Sequence, residues 1–113
     1  MNNLNQFKER VKKALASGET FTCRRVVRTH FKNHPFAEKY PDGIRECVEI
    51  YPCQKFGRVQ SNSFTLITER GEIWCDWGKA GDWDFSENSA TRKKENVCGN
   101  EYTETLSLTY TFE

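Results

Sequence analysis

The chain has 113 residues, 36% of them hydrophobic and 13% aromatic, with 17 Lys and Arg against 16 Asp and Glu. That composition suits one domain around one core and excludes a disordered, highly charged chain. No run approaches the roughly 18 consecutive apolar residues that span a bilayer, and the first helix-like segment is too charged for a secretory leader, so a soluble, cytoplasmic protein with no membrane partner is expected.

Five cysteines, Cys23, Cys47, Cys53, Cys75 and Cys98, are an odd number at irregular spacings. They argue for free thiols in a reducing compartment rather than a disulfide framework. The charge is nearly balanced overall but unevenly laid out: residues 1–39 hold nine basic side chains against Glu9, Glu19 and Glu38, net +6, and the remainder is net −5. A folded molecule that keeps these parts separate is dipolar and offers a charged docking face.

In chain order, Leu4, Phe7, Val11, Ala14 and Leu15 form an apolar stripe with helical spacing, so a helix is predicted from Leu4 to Ser17, capped by Asn2 or Asn3 and ended by Gly18. Thr20 to Phe31 fits alternation and a second helix about equally. Its β-branched Thr20, Thr22, Val26, Val27 and Thr29 favour a strand. Pro35, Pro41 and Asp42-Gly43 mark a turn region over 33–43. Ile44 to Tyr51 is also ambiguous and is read as a strand ended by Pro52. Ser63–Glu69 and Glu72–Trp77 read as a hairpin through Arg70-Gly71, and Trp83 and Phe85 begin or flank a short strand. Ser86–Asn100 has the low apolar content of a mobile loop. The last segment alternates strictly, with Leu106, Leu108, Tyr110 and Phe112 facing one way.

The elements sum to one α+β domain over 1–113: an N-terminal amphipathic helix packed on a mostly antiparallel sheet of four to six strands. A small open barrel is one way for such a sheet to cover its apolar face.

Several constellations bear on chemistry. His30-x3-His34 followed by Cys47-x5-Cys53 supplies zinc-type ligands, but in reversed order and with too wide a cysteine spacing, and no metal is assigned. No nucleophile elbow, His-Glu-x-x-His pair or phosphate-cradling glycine loop is present, which leaves no cofactor and no enzyme class indicated. Asp76, Asp82 and Asp84 read as a solvated turn. Alternation places Trp77 inward and Trp74 outward beside Asp76, and an exposed tryptophan among acids fits a protein-binding surface. Arg24, Arg25, Arg28 and Lys32 could instead grip phosphates. Were Thr20–Phe31 helical, a helix-turn-helix with the 63–77 hairpin as a wing would follow, although its recognition helix would carry Glu46 and Glu49 toward DNA.

The stretch Gly57-Arg58-Val59-Gln60-Ser61-Asn62-Ser63-Phe64-Thr65-Leu66, with Trp74-Cys75-Asp76-Trp77-Gly78-Lys79-Ala80, resembles a pattern in small uncharacterised prophage and bacterial proteins. The resemblance implies a β-rich fold and a mobile-element origin, where small non-enzymatic antagonists of host defence occur, and it implies no activity. The function expected is therefore a non-catalytic interaction protein, an inhibitor of a host nucleic-acid-handling defence complex of the anti-CRISPR or anti-restriction type. Its partner, a host protein or protein–nucleic-acid complex, would be met by Arg24, Arg25, Arg28, Lys32, Trp74, Asp76 and Trp83. The alternatives are a winged-helix transcriptional regulator that binds nucleic acid through 24–32, and a small metal-dependent or thiol enzyme.

Overall fold

A computed structural model describes residues 1–112. Helix α1 spans Leu4–Ser17; the Asn3 side chain accepts from the Gln6 N–H, and Gly18, at φ 70°, closes the last turn. Seven strands follow: β1 (Phe21–Phe31), β2 (Ile44–Val59), β3 (Ser63–Thr68), β4 (Gly71–Asp76), β5 (Trp83–Phe85), β6 (Ser89–Cys98) and β7 (Tyr102–Phe112). They form one sheet in the order β4-β3-β2-β1-β7-β6-β5, with every neighbouring pair antiparallel. The α+β class holds, and the sheet curls into an open half-barrel. The strand count is seven rather than four to six.

The additional strand is β6, which occupies the segment expected to be a mobile loop. Its residues lack apolar alternation because most of it lies beyond the core, yet β7 pairs with one side of it along its whole length, from Ser89↔Thr111 to Cys98↔Tyr102. Both ambiguous segments are strands, so the second and recognition helices of the winged-helix alternative are absent. The only α-helix among the described residues is α1.

Strand β2 also runs on past Pro52, where it was expected to stop. Between the pairs Cys23↔Tyr51 and Phe21↔Gln54, Pro52 and Cys53 together oppose only Thr22. This bulge tolerates a residue without an N–H, and Cys53 adopts φ 56° to make it. The bend passes β2 from β1 to β3, which it meets only from Lys55 onward.

Residues opposite one another in a sheet share a face. The inner face carries Phe21 and Cys23 of β1, Tyr110 and Phe112 of β7, Ala90 of β6, Phe56 of β2 and Phe64 and Leu66 of β3, all in the core with Phe7, Val11 and Ala14 of α1. Phe7 is the hub: Phe64, Trp77, Trp83, Phe85, Tyr110 and Phe112 have ring centroids 4.9–6.4 Å from its own.

This core fills only one end of the sheet. Beyond Cys23 and Tyr110 the strands β6-β7-β1-β2 project as an arm, ending in a small aromatic cluster where Phe31 stacks on Tyr40, 5.9 Å between centroids. Gly43 permits the tip turn, for a Cβ there would lie 2.7 Å from the Phe31 carbonyl oxygen. The radius of gyration is 16.1 Å, against about 13 Å for a compact chain of this length. The accessible surface is 7592 Å², against roughly 6,400 Å² expected for the mass. The arm accounts for the shape.

Unequal burial sets unequal mutational costs. Phe7→Ala is expected to lose about 3–5 kcal/mol in chemical denaturation, because a fully buried ring at the hub leaves a cavity its neighbours cannot fill. Val97→Ala, on the arm at 66% exposure, should stay within about 0.5 kcal/mol.

Candidate functional site

The two margins of the half-barrel approach each other without a backbone ladder, and side chains close the gap. Arg92, on the inner face of β6, donates to the Asp76 carbonyl oxygen at 2.6 Å and to its Oδ1 at 2.7 Å. The Trp83 indole N–H donates to the Trp77 carbonyl oxygen at 2.7 Å, and the Trp77 indole N–H to the Gln60 carbonyl oxygen at 2.9 Å. Gly78, at φ 62°, leaves room for the guanidinium: a Cβ there would lie 2.6 Å from an Arg92 nitrogen.

Above this seam lies a cleft of about 200 Å³, floored by Leu106, Leu108 and Tyr110 and rimmed by Trp74, Asp76, Arg92 and Lys94. Cys75 lines its wall. Burial raises the Cys75 thiol and pushes the Cys23 thiol up to about 11. Burial also raises the nearby Tyr110 hydroxyl. At neutral pH all three are protonated, so these thiols are poor nucleophiles. The cleft thus presents an apolar floor, an indole at the rim and an ion pair already satisfied.

Trp74 stands outward, as alternation predicted, and is 63% exposed. Its cross-strand partner is Thr65, so Ile67, 52% exposed, is its diagonal neighbour, and Ile73, 50% exposed, occupies the other face. Asp76 is engaged by Arg92 rather than free. Trp83 does not belong to a binding surface: it is 6% exposed, stacked on Phe85 and packed on Phe7. Its place at the seam, close in space to Trp77, draws it inward.

The basic quartet is split. Arg24 and Arg28 stand exposed on the outer face, alternating with half-buried Val26. Arg25 lies on the inner face, 3.2 Å from Glu49. Lys32 sits past the end of β1, its N–H bonded to the Glu101 carbonyl oxygen. Only the Arg25–Glu49 pair, of the six ion pairs among the described residues, joins the basic first third to the acidic remainder. Even so, β1 is threaded between β2 and β7, with Arg28 opposite Glu46 and Thr29 opposite Glu104. The expected positive face is therefore a narrow row and not a separate pole.

The zinc-type residues are dispersed. His30 is on the outer face of β1, Cys47 on the inner face of β2, Cys53 at the bulge, and the His34 Nδ1 accepts from the Phe36 N–H. Arg92 and Lys94 were not anticipated, because they fall in the segment read as a loop. The pairing partner for such a polar strand is legible only in the alternating segment that became β7.

Comparison with protein-family models, with curated proteins and with solved structures returns no match.

Two outcomes follow from the seam and the thiols. Arg92 holds the Asp76 carboxyl below the usual carboxylate range. A lowered native value contributes stability that is complete above the unfolded value of about 4 and lost as pH falls through the native one. Thermal melts of the protein and of Asp76→Asn should therefore differ at about pH 7, by no more than about 1 kcal/mol because the carboxylate is half-exposed, and converge in strong acid. In brief alkylation at about pH 8 followed by peptide mapping, Cys47, Cys53 and Cys98 should be modified, while Cys23 and Cys75 stay protected until denaturant is added.

Proposed function

We propose that the chain is a non-catalytic interaction protein that grips a protein partner with the β3–β4 hairpin and the cleft beside it. The carrying observation is the Trp74 indole, 63% exposed at the rim of an apolar-floored cleft. A large amphipathic ring of this kind is a preferred anchor at interfaces and gains most when a partner excludes water around it. Exposed Ile67, the diagonal neighbour of Trp74, extends the same patch. The protonated state of Cys23 and Cys75 supports a binding role for the cleft over thiol chemistry.

The finer reading is an inhibitor of a host nucleic-acid-handling defence complex, of the anti-CRISPR or anti-restriction type. It rests on the resemblance over residues 57–80, the segment that holds Trp74. The outer-face row of Arg24, Arg28 and His30 gives the same molecule a side suited to phosphates. A strand-borne row like this favours nucleic acid as the second ligand class.

Affinity capture from host lysate at low and high salt separates these readings. The protein is expected to retain one specific protein at high salt, and Trp74→Ala, at unchanged melting temperature, to weaken capture by roughly tenfold or more. Capture that survives Trp74→Ala, but disappears at high salt and in Arg24→Glu/Arg28→Glu, would instead assign the function to the basic row.

A further inference from the structure

The arm leaves one long strand edge open. Strand β3 reaches β2 only from Lys55 onward, so Ile44–Tyr51 is paired on one side alone, with β1. Apart from the Ile44 N–H, which donates to the Pro41 carbonyl oxygen at the start of the strand, no other backbone hydrogen bond among the described residues engages this edge. An unprotected edge is a template for another strand, and proteins blunt such edges with lysine, proline or bulges. The opposite margin of the arm is blunted in this way, by Lys93, Lys94 and Glu95 of β6. The β2 edge carries no lysine; its charges, Arg45, Glu46 and Glu49, are of both signs, and it exposes Val48 at 44% and Ile50 at 62%.

Two copies related by a two-fold axis perpendicular to the sheet pair antiparallel through this edge, and each residue then faces one on the same side of the sheet. Only registers that match odd with odd and even with even satisfy that condition. Centring on Glu46 sets two glutamates face to face, as does centring on Glu49. Centring on Val48 leaves Arg45 facing Tyr51 and Glu49 without a cation from the second copy. Centring on Cys47 places Arg45 opposite Glu49 of the second copy, twice by symmetry, and Ile44 opposite Ile50, also twice, with no like charges opposed. The other free edges offer no such match: centred on Trp74, β4 sets Glu72 against Asp76, and centred on Lys94 or Glu95, β6 opposes like charges.

We propose that the chain forms a two-fold dimer through the Ile44–Ile50 edge of β2 in the register centred on Cys47, which makes the two arms one continuous eight-stranded sheet. The β3–β4 hairpins remain free, so each dimer presents two copies of the Trp74 patch. The proposal stands independently of what Trp74 binds.

Sedimentation of the full chain over a concentration series tests it. The expected result is a species of twice the 13.2 kDa chain mass. Arg45→Glu, folded by circular dichroism, should weaken the dimer roughly tenfold or more, because both symmetric pairs turn repulsive. Because Glu49 also pairs with Arg25 of its own chain, the charge swap includes that partner: Arg25→Glu/Arg45→Glu/Glu49→Arg should restore the dimer. A short bis-maleimide should link two chains through Cys47, in Cys53→Ser/Cys98→Ser as in the parent, and fail in Cys47→Ser. A monomer at every concentration, a dimer indifferent to Arg45→Glu, an unrestored charge swap, or a crosslink that needs Cys53 or Cys98 would overturn the proposal.

Discussion

An antiparallel sheet that curls without closing must still cover its inner face, and here the cover is a single helix driving Phe7 into a ring of six aromatic side chains. Two turns of helix are enough, because large rings bury much area for few residues and Phe7, Val11 and Ala14 repeat at the spacing that keeps them on one side. Every strand that contributes to the core does so near this plug. The seam made by Arg92 and the indoles of Trp77 and Trp83 replaces the missing ladder, so the half-barrel holds its curvature although β4 and β6 share no backbone pairing.

Outside the plug the physics changes. In the arm, burial no longer selects the register, which rests on backbone pairing and on cross-strand contacts such as Arg25–Glu49 and the Thr91–Thr109 hydroxyl pair at 2.9 Å. Such a region has few buried apolar contacts and sits at the low end of local stability. Pairing with another chain adds the hydrogen bonds and apolar cover that its own residues do not supply. The Trp74 hairpin is mounted beside the plugged end, by contrast, and the cleft lies where that end passes into the arm, on Tyr110, Leu108 and Leu106.

The cysteines divide along the same line. Cys23 and Cys75 meet across the inner face, where desolvation keeps them protonated, while Cys47, Cys53 and Cys98 lie on the exposed arm or at its bulge. The pair that comes together is the chemically quiet one. The histidines are kept from both groups by strand parity and by the bond from the Phe36 N–H to His34.

Local patterns were enough to specify α1 with its caps, the β3–β4 hairpin, the inward face of β7, the inward Trp77 and the outward Trp74, because each is written in a period of 3.6 or 2 within a few residues. The strand character of β1 could be inferred from its β-branched residues, although its pattern alone did not decide it. Tertiary structure decided the rest: β6 is a strand only because β7 lies beside it, Pro52 stays within β2 only because a bulge excuses its missing N–H, and Trp83 is buried only because the sheet margins meet. It also split Arg24 and Arg28 from Arg25 and set Asp76 on Arg92. The physical reason is common to all of these: a polar side chain's partner, and the side of the sheet that a core will occupy, are settled by segments distant in the chain, whose influence no local period records.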